Sequence, residues 1–300
     1  MDQPVVNKES TDAPFYHHCA HDPDCAYCNG SMEGKDDALD WSFLDGVYCI
    51  SLQSREDRVE SVSAEFHRTG LCRHVLFYRP IKHPKNGLIG SWGSHRAVGQ
   101  HALSQGQNLT LILEDDVQFS ANLRPARIDA IARAIDKLPA DWLIFFLGHW
   151  PIWSYFVRPD VLRTGSACAH AYIVSPRMLQ WLHDHPYGSP CLKKYKIIGK
   201  AIDSAYARLP ATKAMLPIIA IQSVSESDNL RGKPKKKKRR KSVITRSGVR
   251  AHMLRKGKHV INQSGYREFL ISKLMRPNQF FIAVLSPLFW MLQRLKQLGG

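Results

Sequence analysis

The segment at residues 109–116, LTLILEDD, constrains the fold of this chain more than any other. An apolar run with β-branched residues, followed at once by Glu114, Asp115 and Asp116, is typical of a buried parallel strand that ends in an acidic turn. In open α/β sheets, ligands bind at this carboxyl end of the strands. The segment therefore predicts a site at the strand end.

Three adjacent carboxylates repel one another, and a divalent cation is the simplest compensation. Mg²⁺ and Mn²⁺ favour oxygen ligands and often bridge to a substrate phosphate. Side chains alternate along a strand, so the three acids cannot all bind one ion from a straight strand. Glu114 and Asp116 share a face if the strand persists, and a turn at Asp115 would change this. A solvated acidic turn remains the alternative.

The surrounding pattern alternates strands with helices, which indicates a mainly parallel α/β sheet flanked by helices. A helix after Ser54 should stop at Gly70, the glycine-rich stretch at 87–93 should lead into a helix ending near Gly106, and Pro176 should open another. The other strands are expected at 47–52, 74–81, 142–148, 171–175 and 216–222, with a small polar segment at 164–170 and a mixed loop before Asp203.

Charge is concentrated in the C-terminal part of the chain. Residues 231–300 contain 19 Lys and Arg against one acid, Glu268, a net charge of +18, whereas the whole chain carries +16. Residues 1–230 therefore carry about −2, which argues against nucleic acid as the main partner of the folded body. A basic tail on a nearly neutral body predicts contact with an anionic surface.

Two segments of the tail differ in character. Residues 231–241, RGKPKKKKRRK, are expected to form a basic linker, and the run also matches a nuclear localisation pattern. Residues 280–292 form an apolar run that is too short to span a bilayer. With basic residues beside it, this run predicts an interfacial membrane anchor, or else a helix docked on the domain.

The N-terminal segment, residues 1–40, is expected to be a flexible leader without a signal peptide, and its thiols are expected to be reduced in the cytosol. It contains three cysteines and three histidines close together: Cys19, Cys25, Cys28, His17, His18 and His21. The Cys25-x-x-Cys28 spacing could bind zinc, although no second pair of ligands occurs at the usual spacing. A flexible or packing role is the alternative.

Several other residues are candidates on local grounds. Arg55 and Arg58 stand near a helix start, where cations are unfavourable to the helix dipole but suit a bound phosphate. His95, on the next helix, could face a ligand. Asp203 is a lone acid among apolar neighbours and would also suit a helix cap. Each of these residues could equally be solvated or packed.

Six segments, in order, resemble glycosyltransferase family 25, the lipooligosaccharide-type galactosyltransferases. The similarity covers residues 45–229, and Trp92-Gly93 departs from the family pattern. The segments are VYCISLQSREDR, GLIGSWGSHRAV with Gly90, Ser94 and His95 matching, LTLILEDDV, GSACAHAYIVSPRML, AIDSAYA and IAIQSVSESDN.

The resemblance implies a GT-A-like, Rossmann-related fold and transfer of a sugar from a nucleotide-diphosphate donor to a glycan or glycoconjugate acceptor, as in lipopolysaccharide biosynthesis. UDP-galactose is the donor that it suggests. Mn²⁺ or Mg²⁺ would be held by Asp116 first, with Asp115 or Glu114. A base would take the acceptor proton, with Asp203 first and Asp228 second. Donor contacts would come from Arg55, Arg58, Ser94 and His95.

The expected organisation is a leader at 1–40, a transferase domain at 41–229, a basic linker at 230–277 and an amphipathic, membrane-interfacial helix at 278–300. The protein would be cytoplasmic and peripheral on the inner face of a membrane. Two alternatives stand beside the transferase. One is a nucleic-acid- or membrane-associated binding protein with a degenerate glycosyltransferase scaffold. The other is a metal-dependent phosphoryl-transfer or hydrolytic enzyme, although the chain has neither a Walker loop nor an H-E-x-x-H motif.

Overall fold

A seven-stranded sheet covered by helices on both faces forms the body of the protein. The computed structural model describes residues 15–18, 22–120, 123–158, 161–215 and 218–223. The strands are β1 Phe15–Tyr16, β2 Gly46–Ile50, β3 Val75–Tyr78, β4 Thr110–Glu114, β5 Val117–Phe119, β6 Ile144–Arg158, β7 Val161–Val174, β8 Thr212–Met215 and β9 Ala220–Gln222. The helices are α1 Glu56–Thr69, α2 Gly87–Ser104, α3 Pro125–Asp136, α4 Pro176–Asp184 and α5 Ile202–Tyr206.

The sheet has the order β1-β3-β2-β4-β7-β6-β8, and β5 and β9 form a separate two-stranded sheet. In the large sheet, β2, β3, β4, β6 and β8 run in one direction, while β1 and β7 run opposite to their neighbours. The expected mainly parallel α/β sheet flanked by helices is therefore confirmed as a class. The basic C-terminal tail lies outside the described residues.

Alternating side chains of the central strands supply two cores. On β2, Val47 and Cys49 pack with α1 and α3, whereas Tyr48 packs with α2, α4 and α5 on the opposite face. Apolar side chains on both faces are the pattern of a strand buried on both sides, as the near-continuous apolar sequence of these strands predicts. Both faces of β2 and β4 are therefore covered in the middle of the sheet.

Helix boundaries follow the local sequence signals. Gly70 ends α1 with φ of 74°, in the left-handed region, and Pro176 stands at the start of α4 behind the Ser175 cap, as predicted. Only the start of α2 differs, because the glycine-rich stretch at 87–93 is already helical. The Asn86 side chain accepts a hydrogen bond from Leu88 N at 2.9 Å and caps the helix there.

The largest difference from the sequence prediction is the long antiparallel pair β6–β7. The sequence predicted short strands at 142–148 and 171–175, with a small polar segment between them. Instead, residues 144–158 and 161–174 pair along most of their length, with several register shifts. Pairing of 161–174 with β6 satisfies the backbone groups of a segment whose small residues suggested a loop, and the buried Thr164 and Ser166 face the interior.

Three parallel strands end side by side and thereby position the candidate site. Ile50 of β2 lies opposite both Tyr78 of β3 and Glu114 of β4, so the carboxyl ends of the three strands meet at one edge. Across the acidic turn, β9 pairs with β5, with Gln222 opposite Val117. Residues from four separate parts of the chain are therefore brought to the end of β4.

No helix within the described ranges has the length and apolarity needed to cross a membrane. The predicted basic linker at 230–277 and interfacial helix at 278–300 lie outside the described residues, and so does Asp228. The division of the chain at residues 40 and 229 remains a prediction.

Candidate functional site

An open cleft lies at the carboxyl ends of β2, β3 and β4. It encloses a cavity of about 130 Å³ and opens to solvent. One part of the lining, the acidic wall, consists of Glu114, Asp115 and Asp116, and the rest includes Lys82 and the first turns of α2. The lining includes Arg58, Lys82, His83, Gly87, Gly90, Ser94, His95, Glu114, Asp115, Asp116 and Gln222.

The acidic wall is a turn rather than a continued strand. β4 ends at Glu114, and Asp115 and Asp116 form the turn before β5. The guanidinium of Arg58, from the first turn of α1, donates to Asp115 Oδ1 at 2.6 Å and lies 4.0 Å from Asp116 Oδ2. The turn allows all three acids to line one cleft, which a straight strand would not.

Asp116 is the most unusual of the three acids. Gln222 Nε2 donates to its Oδ2 at 2.8 Å, whereas its buried Oδ1 has no hydrogen-bond partner among the described residues. Burial, followed by the negative charges of Glu114 and Asp115, raises the pKa of Asp116 to about 8. A buried carboxylate with an unfilled acceptor is a group that a cation would stabilise.

A divalent cation fits this arrangement. Within the described residues, the three carboxylates are not gathered into a tight cage of ligand atoms. Mg²⁺ and Mn²⁺ often bind through one or two carboxylates while retaining waters and substrate phosphate oxygens, so a cage of protein ligands is not required. Asp116, with its unfilled oxygen, and Glu114 would be the first protein ligands, since Arg58 already holds Asp115.

His95 forms the floor of the cleft and is almost fully buried. Burial lowers the pKa of His95 to about 4, so the imidazole is neutral at physiological pH. Its Nδ1 lies 2.6 Å from the Tyr172 hydroxyl, which in turn lies 3.1 Å from the Tyr206 hydroxyl. Its Nε2 lies 3.4 Å from Glu114 Oε1.

The carboxylate of Glu114 determines which atoms donate and which accept in the hydrogen bonds of His95. An ionised carboxylate can only accept, so the proton of the neutral imidazole belongs on Nε2, and Nδ1 accepts from Tyr172. Burial raises the pKa of Tyr172 well above its ordinary value, which keeps that hydroxyl protonated as the donor. The tyrosines therefore fix His95 as a neutral N–H donor at the base of the acidic wall.

Another part of the lining suits an anion. Lys82 and His83 follow β3, and the first turns of α2, including Gly87 and Gly90, also line the cleft. The positive end of the helix dipole favours negative charge at this position. The Ser94 hydroxyl donates to Gly90 O at 2.9 Å, so its oxygen remains a potential acceptor toward the cleft. An anionic ligand here would share the cleft with a cation on the acids.

Six of the nine site residues selected from sequence line the cleft: Arg58, Ser94, His95, Glu114, Asp115 and Asp116. Arg55 does not, because its guanidinium makes two hydrogen bonds to Asp57, at 2.8 and 2.7 Å. Asp203 lies in the first turn of α5, outside the lining, although its charge acts on His95 and Tyr206. Asp228 lies outside the described residues.

Sequence reasoning missed Lys82, His83, Gln222 and the two tyrosines as site residues. Lys82 and His83 follow a strand that is adjacent to β2 in the sheet, and Gln222 reaches Asp116 through the pairing of β9 with β5. The position of Lys82 after a predicted parallel strand was the available signal. Nothing in the local sequence of Gln222 indicates its partner, which is 106 residues away.

Comparisons with known proteins give no close relative. A scan against protein-family models finds no match, and a search of curated proteins finds none either. Among solved structures, the chain is similar to a glycosyltransferase involved in the glycosylation of the major capsid of PBCV-1, at 13% identity and a TM-score of 0.31 over 56% of this chain and 81% of that chain. It is also similar to apo UDP-glucose pyrophosphorylase, at 11% identity and a TM-score of 0.32 over 57% of this chain and 72% of that chain. At TM-scores this low, neither likeness decides the chemistry of the cleft.

Proposed function

We propose that this protein is a glycosyltransferase that binds a nucleotide-diphosphate sugar in the cleft and transfers the sugar to a hydroxyl of a glycan or glycoconjugate. The observation that supports this most is that acidic and cationic groups line one cleft. Asp116 offers a buried carboxylate oxygen without a partner among the described residues, and Arg58, Lys82 and the first turns of α2 line the same cleft. A diphosphate with a divalent cation complements both kinds of group.

Asp116 and Glu114 would hold the cation first, with Asp115 beside them. When bound, it would neutralise the diphosphate leaving group as the glycosidic bond breaks. Gln222 fixes Asp116 by its hydrogen bond to Oδ2, and Arg58 balances the charge of Asp115. These contacts preorganise the acidic wall before the donor arrives.

The remaining residues position the donor and acceptor. His95 offers a neutral N–H next to Glu114, and Ser94 offers an acceptor oxygen on the same helix. Asp203 remains the first candidate for the base that takes the acceptor proton, with Asp228 second. Because Asp203 lies in the first turn of α5 and not in the lining, the acceptor would approach from that side.

The finer assignments rest on the resemblance to glycosyltransferase family 25. They are a hexosyltransferase activity, galactose as the sugar, Mn²⁺ as the metal and an acceptor in lipopolysaccharide biosynthesis. Cytoplasmic location, with attachment to an anionic membrane through the tail, belongs to the same proposal. Arg55 would have to exchange its partner Asp57 for the donor to take part.

Donor binding by the full chain tests this function directly. We expect one nucleotide class among UDP-, GDP- and CMP-sugars to bind, with UDP-galactose tried first, and affinity to rise at least about tenfold with Mn²⁺ because the metal bridges acids and diphosphate. Titration calorimetry with and without Mn²⁺ would measure this. A well-folded chain that binds none of the donors under either condition would contradict the proposal. Detection of a sugar-transfer product, rather than of free phosphate, would distinguish a glycosyltransferase from a hydrolase.

Arg58 and Arg55 provide a matched pair, because both lie at the start of α1 but only Arg58 lines the cleft. We expect Arg58→Gln to weaken donor binding in saturating Mn²⁺ at least about tenfold, since it removes a cation and leaves Asp115 without its partner. Arg55→Gln should change affinity less than about twofold, because its partner Asp57 is on the surface. The same titration measures both variants, and equal losses would contradict the assignment of Arg58 to the cleft.

A further inference from the structure

Four potential metal ligands meet at the far end of α1, away from the cleft. They are Cys25 and Cys28 from the N-terminal segment, His67 from the last turn of α1, and Cys72 from the short 3₁₀ helix that follows. One ligand atom from each lies within 4.8 Å of all the others. The sequence supplied Cys25-x-x-Cys28, and the fold supplies the second pair, about 40 residues further along the chain.

The distances suit a tetrahedral ion. Cys72 Sγ lies 3.6 Å from Cys25 Sγ and 3.4 Å from Cys28 Sγ, and Cys28 Sγ lies 4.0 Å from His67 Nδ1. With Zn–S of about 2.3 Å and Zn–N of about 2.0 Å, a regular tetrahedron has ligand separations of roughly 3.5–3.8 Å. The four atoms are therefore spaced as ligands around one centre. The sulfur separations are far from the ~2.05 Å of a disulfide.

The surroundings of the four residues include a contact that is typical of metal sites. His67 turns Nδ1 toward the sulfurs, while its Nε2 lies 3.5 Å from Asp22 Oδ2. A carboxylate behind the far nitrogen is the usual means of fixing the tautomer of a metal-bound histidine. Ordinary packing of buried cysteines does not require this contact.

We propose that Cys25, Cys28, His67 and Cys72 bind one zinc ion that holds the N-terminal segment against α1. Three thiolates and one imidazole favour zinc over oxygen-seeking metals such as Mg²⁺. Four protein ligands fill the tetrahedron and leave no open position, so the ion is structural rather than catalytic. His67 and Arg58 are nine residues apart on α1, about 14 Å along the helix. The zinc site is therefore independent of the proposed transferase activity.

The N-terminal segment at residues 22–40 has few other contacts that would stabilise it. Residues 22–40 form turns without a helix or strand, and few of their side chains are buried with the core. Tyr27 packs over Gly70, and Arg73 pairs with Glu33 on the surface at 2.8 Å. Contacts of this number stabilise a short segment weakly, whereas a zinc ion bound only by the folded form contributes its binding free energy to folding.

Metal content of the purified full chain tests the proposal. The protein is expressed in medium with added zinc, and its metal content is measured by elemental mass spectrometry. We expect one zinc per molecule. Cys28→Ser and Cys72→Ser should retain at least about tenfold less metal, because each removes a ligand. Cys191→Ser is the matched control, since Cys191 is exposed and lies outside the cluster, and it should retain the full amount.

Cobalt substitution keeps the test decisive if the serine variants fail to fold. The Co²⁺-loaded chain should show the intense visible bands of tetrahedral cobalt together with thiolate charge transfer. His67→Cys should bind Co²⁺ with stronger charge-transfer absorption, because a fourth thiolate replaces the imidazole, whereas His67→Ala should lose the tetrahedral bands. A reduced, folded chain that binds neither zinc nor cobalt would overturn the proposal, as would serine variants that retain metal like the parent. Neither outcome bears on donor binding in the cleft.

Discussion

Asp116→Asn is expected to abolish Mn²⁺-dependent donor binding and, at the same time, to stabilise the protein measured without added Mn²⁺ or Mg²⁺. The amide removes a negative charge that a bound metal needs, so we expect affinity for the donor to fall at least about a hundredfold, in line with losses at other metal-site contacts. It also removes a buried charge that has no full partner before the ligands arrive.

The pH dependence of the stabilising effect follows from the raised pKa. Asp116 has a folded-state pKa of about 8, against roughly 3.9 in an unfolded chain. Between those values the folded protein holds a proton that the unfolded chain releases, so this group lowers stability progressively as pH rises from about 4 to 8. The difference in melting temperature, variant minus parent, should therefore grow from pH 5 to pH 8 and correspond to at least about 1 kcal/mol at the upper end.

Calorimetry of the parent and of Asp116→Asn over this pH range measures the change in stability, and donor titration of both proteins then measures the change in affinity. Asp184→Asn is the matched control, because Asp184 is a half-exposed acid at the end of α4, and it should change stability by less than about 0.5 kcal/mol. Added Mn²⁺ should raise the melting temperature of the parent and leave the melting temperature of Asp116→Asn unchanged. A variant that melts lower than the parent at pH 8, or that keeps Mn²⁺-dependent binding, would contradict the assigned role.

Gly148→Ala should damage the fold and the cleft together. Gly148 is buried on β6, and a Cβ there would collide with the carbonyl oxygen of Ala220 and with the His170 imidazole. The carbonyl belongs to β9, which cannot give way as the end of a flexible side chain can. We expect a loss of about 1–3 kcal/mol in the free energy of unfolding, seen as a melting temperature several degrees lower.

The same displacement should weaken the donor site, because β9 ends at Gln222, the hydrogen-bond partner of Asp116. Ser223 N also donates to Asp116 O at 2.7 Å directly after β9. The melting temperature of Gly148→Ala, measured by thermal unfolding, and its donor affinity, measured by titration, should therefore both be lower than those of the parent. Gly93→Ala is the control: Gly93 lies on the exposed side of α2, where a Cβ meets nothing within 4 Å, and the change should be neutral or stabilise by up to about 1 kcal/mol. Equal behaviour of the two alanine variants would contradict the close approach of β9 to β6.

Much of the fold and part of the lining of the cleft could be predicted from local sequence. Strand β4 with its acidic end, the stop of α1 at Gly70 and the start of α4 at Pro176 each depend on a few adjacent residues, and the structure has all of them. The acids were recognisable because their chemistry and their position after an apolar run occur together. Arg55 and Arg58 were indistinguishable in sequence, since only the fold decides which of them faces the cleft.

The missed features depend on contacts between distant segments. The strand 161–174 contains small and polar residues that suggest a loop, and its pairing with β6 and β4 overrides that local preference. Gln222 reaches Asp116 only because β9 pairs with β5. His67 and Cys72 could not be matched to Cys25 and Cys28 by spacing, because a helix end and a 3₁₀ helix bring them together.

The segment before the first central strand also covers the end of α1. Tyr27 lies over Gly70, its hydroxyl accepts from Leu39 N at 3.1 Å, and the Trp41 indole donates to Thr69 O at 2.8 Å. The boundary that composition suggests, at residue 41, would cut through this cover. A recombinant fragment that begins at residue 41 would lack Tyr27 and Leu39, so the C-terminal end of α1 at Gly70 would be more exposed to solvent in the fragment than in the full chain.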